Sequence, residues 1–166
     1  MTSTTSGRVA ARLAELELTL PVAPKPVACY LPFTRTGNTI HLCGHLPKKA
    51  DGTFTSLGKL GSKTEGDSVT LEQAQEAARM CVINMLSTLS LALDGNLDRI
   101  KKFLKINVFV ASDPSFFGQP KVADGASELL ASILGPDAGT HARSAVGVAV
   151  LPLNVPVEID AVVEIN

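Results

Sequence analysis

Residues 141–166 constrain the fold more than any other stretch, because they alternate in two runs separated by a break over 151–156 that holds Pro152, Asn154 and Pro156. Successive side chains on a strand point to opposite faces. Ser144, Val146, Val148 and Val150 therefore share one face, and the valines predict that this face meets the core. Arg143, Ala145, Gly147 and Ala149 share the other. A guanidinium then stands at the end of a floor almost free of side chains, where a ligand or another backbone can come close. A planar bidentate donor in that place suits a carboxylate or phosphate. An exposed Arg on a half-solvated edge hairpin is the competing reading of the same spacing. In the second run Val157, Ile159, Ala161, Val163 and Ile165 face one way, and Glu158, Asp160 and Glu164 the other.

The rest of the chain supplies the layers. Residues 1–6 read as a polar, frayed tail. Val9, Leu13, Leu16 and Leu20 recur at helical spacing, predicting a helix over 8–17 that Pro21, Pro24 and Pro26 end. Residues 27–34 read as a strand, Arg35-Thr36-Gly37-Asn38 as a turn and 39–45 as the returning strand. Pro32 moves the first of these towards a sheet edge. Residues 48–69 hold Gly52, Gly58, Gly61 and Gly66 and are expected as a long loop. Thr70 with Gln73 forms a capping box, opening a helix whose Ala74, Ala77, Ala78, Cys81, Val82, Met85, Leu86 and Leu89 keep to i, i+3, i+4 spacing. Gly95 supplies its stop. Residues 103–111 read as a strand, apolar on both faces in its second half and so interior to the sheet. Ser112-Asp113-Pro114 turns the chain, and a second helix runs from Pro120 or Lys121 to Leu134, ended by Gly135-Pro136. The order β-hairpin, helix, strand, helix, β-hairpin predicts an α+β fold, with a mixed sheet and two long helices packed on one of its faces.

Composition removes several function classes. A chain of 166 residues without repeats reads as one domain, here 27–166, preceded by an extension over 1–26 that carries the short helix. The net charge is −1 with Lys and Arg scattered, which leaves no basic face for nucleic acid. No apolar run approaches membrane-spanning length, so no membrane partner is expected. The N-terminus has no signal-peptide architecture, and Cys29, Cys43 and Cys81 form an odd set without C-x-x-C. Both features predict reduced thiols and a cytoplasmic location.

Arg143-Ser144, Val146, Val148, Leu151-Pro152 and Val157-Glu158-Ile159 resemble the C-terminal signature of the YjgF/RidA family. Thr36-Gly37-Asn38, Cys43-Gly44-His45-Leu46-Pro47 and Val108-Phe109-Val110 extend the resemblance over 27–166. The first helix and the 48–69 loop look like additions belonging to one branch of that family. The resemblance implies a chorismate-mutase-like fold and a homotrimer with sites between subunits. It also implies cofactor-free hydrolysis of reactive 2-imino and enamino acids, such as 2-aminoacrylate, to 2-oxo acids and ammonia. The family's substrate-binding arginine falls on Arg143, its site glutamate on Glu158 and its binding-site tyrosine on Tyr30. A site-lining asparagine falls on Asp124, and a serine and a glutamine of the strand motif fall on Cys43 and His45.

The expected site is therefore Arg143 and Glu158 for catalysis, with Arg143, Tyr30, Cys43, Ala145 and Asp124 binding a small carboxylate-bearing metabolite. An ionised Asp124 adds negative charge beside that carboxylate and weakens binding unless something neutralises it. This keeps a second class open, a non-catalytic small-carboxylate-binding protein of the same fold. A third, the RNA-cleaving or translation-inhibiting activity attributed to some relatives, is opposed by the missing basic face.

Other features carry bland readings. His41, Cys43 and His45 share one strand face, but same-face neighbours lie roughly 6.5–7 Å apart, too far for three to reach one ion. No metal is expected there. Gly58-Lys59-Leu60-Gly61 lacks the strand and helix that flank a phosphate loop. His141 is expected to face solvent, with membership of the site as the lesser reading. With a hairpin tip at Thr36-Gly37, Tyr30 is expected opposite Cys43. A C-terminal hairpin would put Arg143 near Glu164 and Glu158 near Ala149, on one face but roughly 20 Å apart at strand rise. One chain could not bring both to a small ligand, whereas two copies could.

Overall fold

The computed structural model describes residues 7–23 and 29–166. The first helix, α1, spans Arg8–Glu15, with Val9 and Leu13 buried in the common core. Its first amides have no intrahelical partner, and Asp98 satisfies two of them, accepting from Arg8 N–H and Val9 N–H at 2.9 Å each. The expected tail over 1–6, and Pro24 and Pro26, lie outside the described residues.

Strand β1 spans Phe33–Thr36, shorter than expected, with Val27 and Ala28 outside the described residues. It turns through Gly37, at φ +56, and Asn38 into β2, Thr39–His45. The expected loop over 48–69 is not structureless. It holds a small parallel pair, β3 (Lys59–Leu60) and β4 (Ser68–Val69), pinned by burial of Leu60 and Val69.

Helix α2, Leu71–Ala92, opens with the predicted capping box: Gln73 N–H donates to Thr70 Oγ1 at 3.2 Å, and Thr70 N–H donates to Gln73 Oε1 at 2.9 Å. Strand β5 is Ile100–Ala111. Helix α3 runs over Gln119–Gly139 but breaks at Gly135 (φ 83°), so its long segment stops at the expected Gly135-Pro136. Strands β6 (Ala142–Val148) and β7 (Val157–Ile165) complete a five-stranded mixed sheet of order β1-β2-β7-β5-β6.

Two expectations fail in the C-terminal stretch. The first is the hairpin: β6 runs parallel to β5 at the sheet edge, and β7 lies antiparallel between β2 and β5. Alternation reports which residues share a face but not which strand is the neighbour. The second is the choice of face. Arg143, Ala145 and Gly147 register with Ile106, Val108 and Val110, whose side chains are buried under the helices. The small-residue face of β6 therefore lies beneath α3, and Ser144, Val146 and Val148 lie on the open face. Close approach demands the small residues. A Cβ on Gly147 would come within 2.8 Å of Ser112 Oγ and 2.9 Å of Gln119 Nε2 at the start of α3.

Candidate functional site

Helix α3 positions one half of the site. A Cβ on Gly125 would lie 2.5 Å from the backbone oxygen of Gln75, so α3 crosses α2 at backbone contact, and this fixes where its outer face points. Asp124 and Ser127, one turn apart on that face, both meet Arg143 of β6. Arg143 donates through Nη1 to Asp124 Oδ1 at 2.9 Å and to Ser127 Oγ at 3.0 Å. His141 completes the cluster, with Nδ1 2.7 Å from the Gly139 carbonyl and Nε2 3.0 Å from Ser127 Oγ. A carbonyl only accepts, which assigns the proton to Nδ1 and leaves Nε2 to accept from the Ser127 hydroxyl. Burial, and secondarily the Arg143 cation, hold His141 below its ordinary pKa, in keeping with the neutral ring this pattern needs. His141 is thus a half-buried member of the cluster and not the solvent-facing residue expected.

Both hydrogens on Arg143 Nη1 are committed by these contacts. The opposite edge, Nε and Nη2, makes no hydrogen bond among the described residues, and the side chain keeps 25% of its surface exposed. What remains is an oriented two-donor fork, the geometry that binds a carboxylate.

The other half lies on the open face of the sheet. Glu158 of β7 registers with Phe109 and is half-buried there. Burial, with the neighbouring Asp160, pushes its carboxyl above the ordinary range. Asp160 itself accepts from Asn107 Nδ2 at 2.7 Å. The Glu158 carboxylate fills the place a Cβ would take on Gly44, so only glycine permits this approach. Beside it, burial and then Glu158 raise the Cys43 thiol, which disfavours the thiolate that a nucleophile needs.

A β-bulge between Leu42 and His45 shapes this half. It turns His45 to the helix side, where Nδ1 lies 2.8 Å from the Cys43 carbonyl and Nε2 2.8 Å from Thr88 Oγ1. His41, Cys43 and His45 therefore do not share a face as expected. Among the described residues, no group of three His, Cys, Asp or Glu could hold a metal ion. The register also differs near Tyr30. The hairpin tip is Gly37-Asn38, so Pro32 stands opposite Cys43, its carbonyl accepting from Cys43 N–H at 3.0 Å. Tyr30 lies two residues beyond, yet it and Cys43 line one cavity of about 410 Å³ with Gly44, His45, Asn84 and Thr88.

The chain thus gathers Arg143 and Asp124 in one cluster, and Tyr30 and Cys43 in another with Glu158 against Gly44. Ala145 packs on the core beneath α3. The two clusters do not meet. Arg143 registers with Ile106 and Glu158 with Phe109, two strands apart and on opposite faces. Three residues of rise and two strand spacings put their Cα atoms roughly 14 Å apart. This replaces the shared face and longer separation that a hairpin implied. Ser127 was not anticipated, although its spacing from Asp124 on a predicted helix was the available signal.

Residues 10–164 match the model of the family described as YjgF/chorismate mutase-like, putative endoribonuclease. Protein TCP17 of Trypanosoma cruzi is 45% identical over 166 residues, covering 100% of this chain and 99% of that protein. The crystal structure of the protein Atu1372, of unknown function, from Agrobacterium tumefaciens matches with a TM-score of 0.86 at 45% identity, covering 96% of this chain and 93% of that one. A 2-iminobutanoate/2-iminopropanoate deaminase of Dermatophagoides farinae is 25% identical over 149 residues, covering 90% of this chain and 95% of that protein.

Proposed function

The chain belongs to the YjgF/chorismate-mutase-like family, and from that premise we propose that it binds small 2-imino or enamino acids and hydrolyses them to 2-oxo acids and ammonia. The observation that carries this reading is the Arg143 fork, held by Asp124 and Ser127 with its Nε–Nη2 edge free of hydrogen bonds among the described residues. A substrate carboxylate on that edge fixes the orientation of the adjoining C=N carbon. Water oxygen adds to that carbon as the C=N pair moves to nitrogen and one water proton passes to a carboxylate. That proton then goes to the nitrogen, and the C–N bond breaks as the new hydroxyl loses its proton to form C=O and ammonia leaves. Glu158 suits the proton step, because its raised pKa brings it nearer to neutral pH. Tyr30 and Cys43 would line the far wall.

Arg143 and Glu158 stand on opposite faces, so one substrate reaches both only if a second copy supplies one of them. The family resemblance suggests a trimer as the closed assembly that does this. The open face offers the surface: Val146 is 47% exposed there, near Phe109 and Val148. Light scattering should return a mass near three times 17.4 kDa.

A second reading is favoured by Asp124. Its carboxylate shares the Arg143 cation with any bound ligand, which suits a protein that binds small acids without turning them over. Turnover of freshly generated 2-aminoacrylate, with Arg143→Ala as control, separates the two. Accelerated release of pyruvate and ammonia that Arg143→Ala loses supports the hydrolase. Ligand binding without acceleration supports the second reading. RNA cleavage is disfavoured by a net charge of −1.

A further inference from the structure

We infer, resting on the reading of Arg143 as a carboxylate anchor, that Asp124 makes this site select ligands carrying a cationic nitrogen next to their carboxylate. The class is an α-ammonium or iminium acid, chosen over a 2-oxo acid of the same size.

The charges at the anchor decide this. Arg143 supplies one positive charge and Asp124, at 2.9 Å, one negative charge. The other neighbours of the guanidinium are the Ser127 hydroxyl and, behind it, the neutral His141 ring, so neither restores a net positive field. Lys105, which registers with Ala142 at the start of β6, sits on the open face with its Nζ 2.7 Å from Ser144 Oγ. A simple carboxylate anion therefore docks on a fork whose charge is already balanced, and it meets Asp124 as a like charge. A zwitterion does not have this conflict. Its carboxylate takes the Nε–Nη2 edge, and its adjoining cation faces Asp124, whose Oδ2 has no partner among the described residues and whose side chain is 46% exposed. An asparagine at 124 could still hold Nη1 through its amide oxygen but would lose this preference.

The same arrangement bears on the chemistry. A carboxylate beside the substrate nitrogen favours the protonated iminium over the neutral imine. Water then adds to a carbon whose C=N electron pair moves onto an already protonated nitrogen. The proton lost by the water goes to a carboxylate or to solvent, and no proton need reach nitrogen before attack.

The test compares L-2-aminobutyrate with 2-oxobutyrate by calorimetry at neutral pH, in the parent, Asp124→Asn, Asp124→Ser and Arg143→Ala. The parent should prefer the amino acid by about tenfold or more, the size expected of one close charge contact at a half-exposed site. Both Asp124 variants should narrow or reverse that ratio, with the oxo acid gaining, and Arg143→Ala should lose both ligands. An unchanged ratio in both Asp124 variants, with Arg143→Ala losing both ligands, overturns the role of Asp124 and leaves the anchor standing. If Arg143→Ala binds both ligands as the parent does, or the parent binds neither, the anchor itself fails and the selectivity fails with it.

Discussion

Asp124 Oδ1 and Arg143 Nη1 lie 2.9 Å apart, joining the first turns of α3 to the first residues of β6. Both side chains stay partly exposed, Arg143 at 25% and Asp124 at 46%, so the pair's direct contribution to stability is small, about 0–1 kcal/mol. Its consequence is orientation. With Ser127 it uses up one end of the guanidinium and presents the other as a fixed fork.

Arg143→Ala should therefore abolish binding of small carboxylates while lowering the melting temperature by no more than about 2–4 °C, the shift that ~1 kcal/mol produces in a domain of this size. Arg143→Lys should not rescue binding, since an ammonium is a point donor without the planar fork. Calorimetric titration and thermal melts check both arms. Undiminished binding of 2-oxobutyrate by the alanine variant would place the site elsewhere.

Glu158→Gln should give a pH signature opposite to that of an ordinary acidic residue. Its folded pKa is raised above 4.5, so the folded chain holds this proton more tightly than the unfolded chain. The stability it contributes is full below about 4.5 and is lost as pH rises through the raised value. At neutral pH the glutamine variant should be at least as stable as the parent, and the gap should close on acidification. Melts from pH 4 to 8 read this directly, and a glutamine variant destabilised at neutral pH contradicts it.

His45 and His141 act in the reverse sense. Burial lowers both below 6.5, so the unfolded chain binds protons that the folded chain refuses. Their contribution is complete above 6.5 and is lost as pH falls towards their lowered values. His45→Gln, which can still reach the Cys43 carbonyl and Thr88, should reduce this acid sensitivity. His45→Ala should cost about 1–3 kcal/mol by leaving buried Thr88 without its partner. Equal acid sensitivity in the parent and in His45→Gln would show that His45 is not responsible.

Gly125→Ala tests the link between packing and site. Its Cβ would lie 2.5 Å from the Gln75 carbonyl oxygen, so α3 must move off α2. Overpacking of this kind costs about 1–3 kcal/mol. The flanking Asp124 and Ser127 would shift with the helix, so carboxylate affinity should fall together with stability. A destabilised variant with unchanged affinity would separate the helix contact from the site.

Local signals in the chain were legible where one residue dictates one conformation. The Thr70–Gln73 capping box, the stop at Gly135-Pro136 and the bounds 39–45 of β2 all follow from side-chain chemistry within a few residues. What alternation could not give was the partner of each strand or the face that is covered. Val146 and Val148 look like core residues, yet they lie on the open face, while Arg143, Ala145 and Gly147 sit under α3. Of the two close approaches that the small residues allowed, a ligand or another backbone, the structure supplies the second, with α3 passing overhead. The bulge at Cys43–His45 was invisible for a related reason: one extra residue reverses every face assignment after it. Alternation marks Arg143, and the family resemblance adds Glu158 and Tyr30, whereas only the packing of α3 over β6 brings Ser127 to the cluster.

The separation of Arg143 from Glu158 within one chain supplies the most direct test of a site completed between copies. Arg143→Ala and Glu158→Gln should each lack 2-aminoacrylate turnover alone. When the two are unfolded, mixed in equal amounts and refolded together, interfaces pairing an intact Arg143 from one copy with an intact Glu158 from another should form. Random assembly makes about one interface in four complete, so about a quarter of the parent activity should return. No recovery from a mixture shown by mass spectrometry to contain hetero-oligomers would contradict a site shared between subunits.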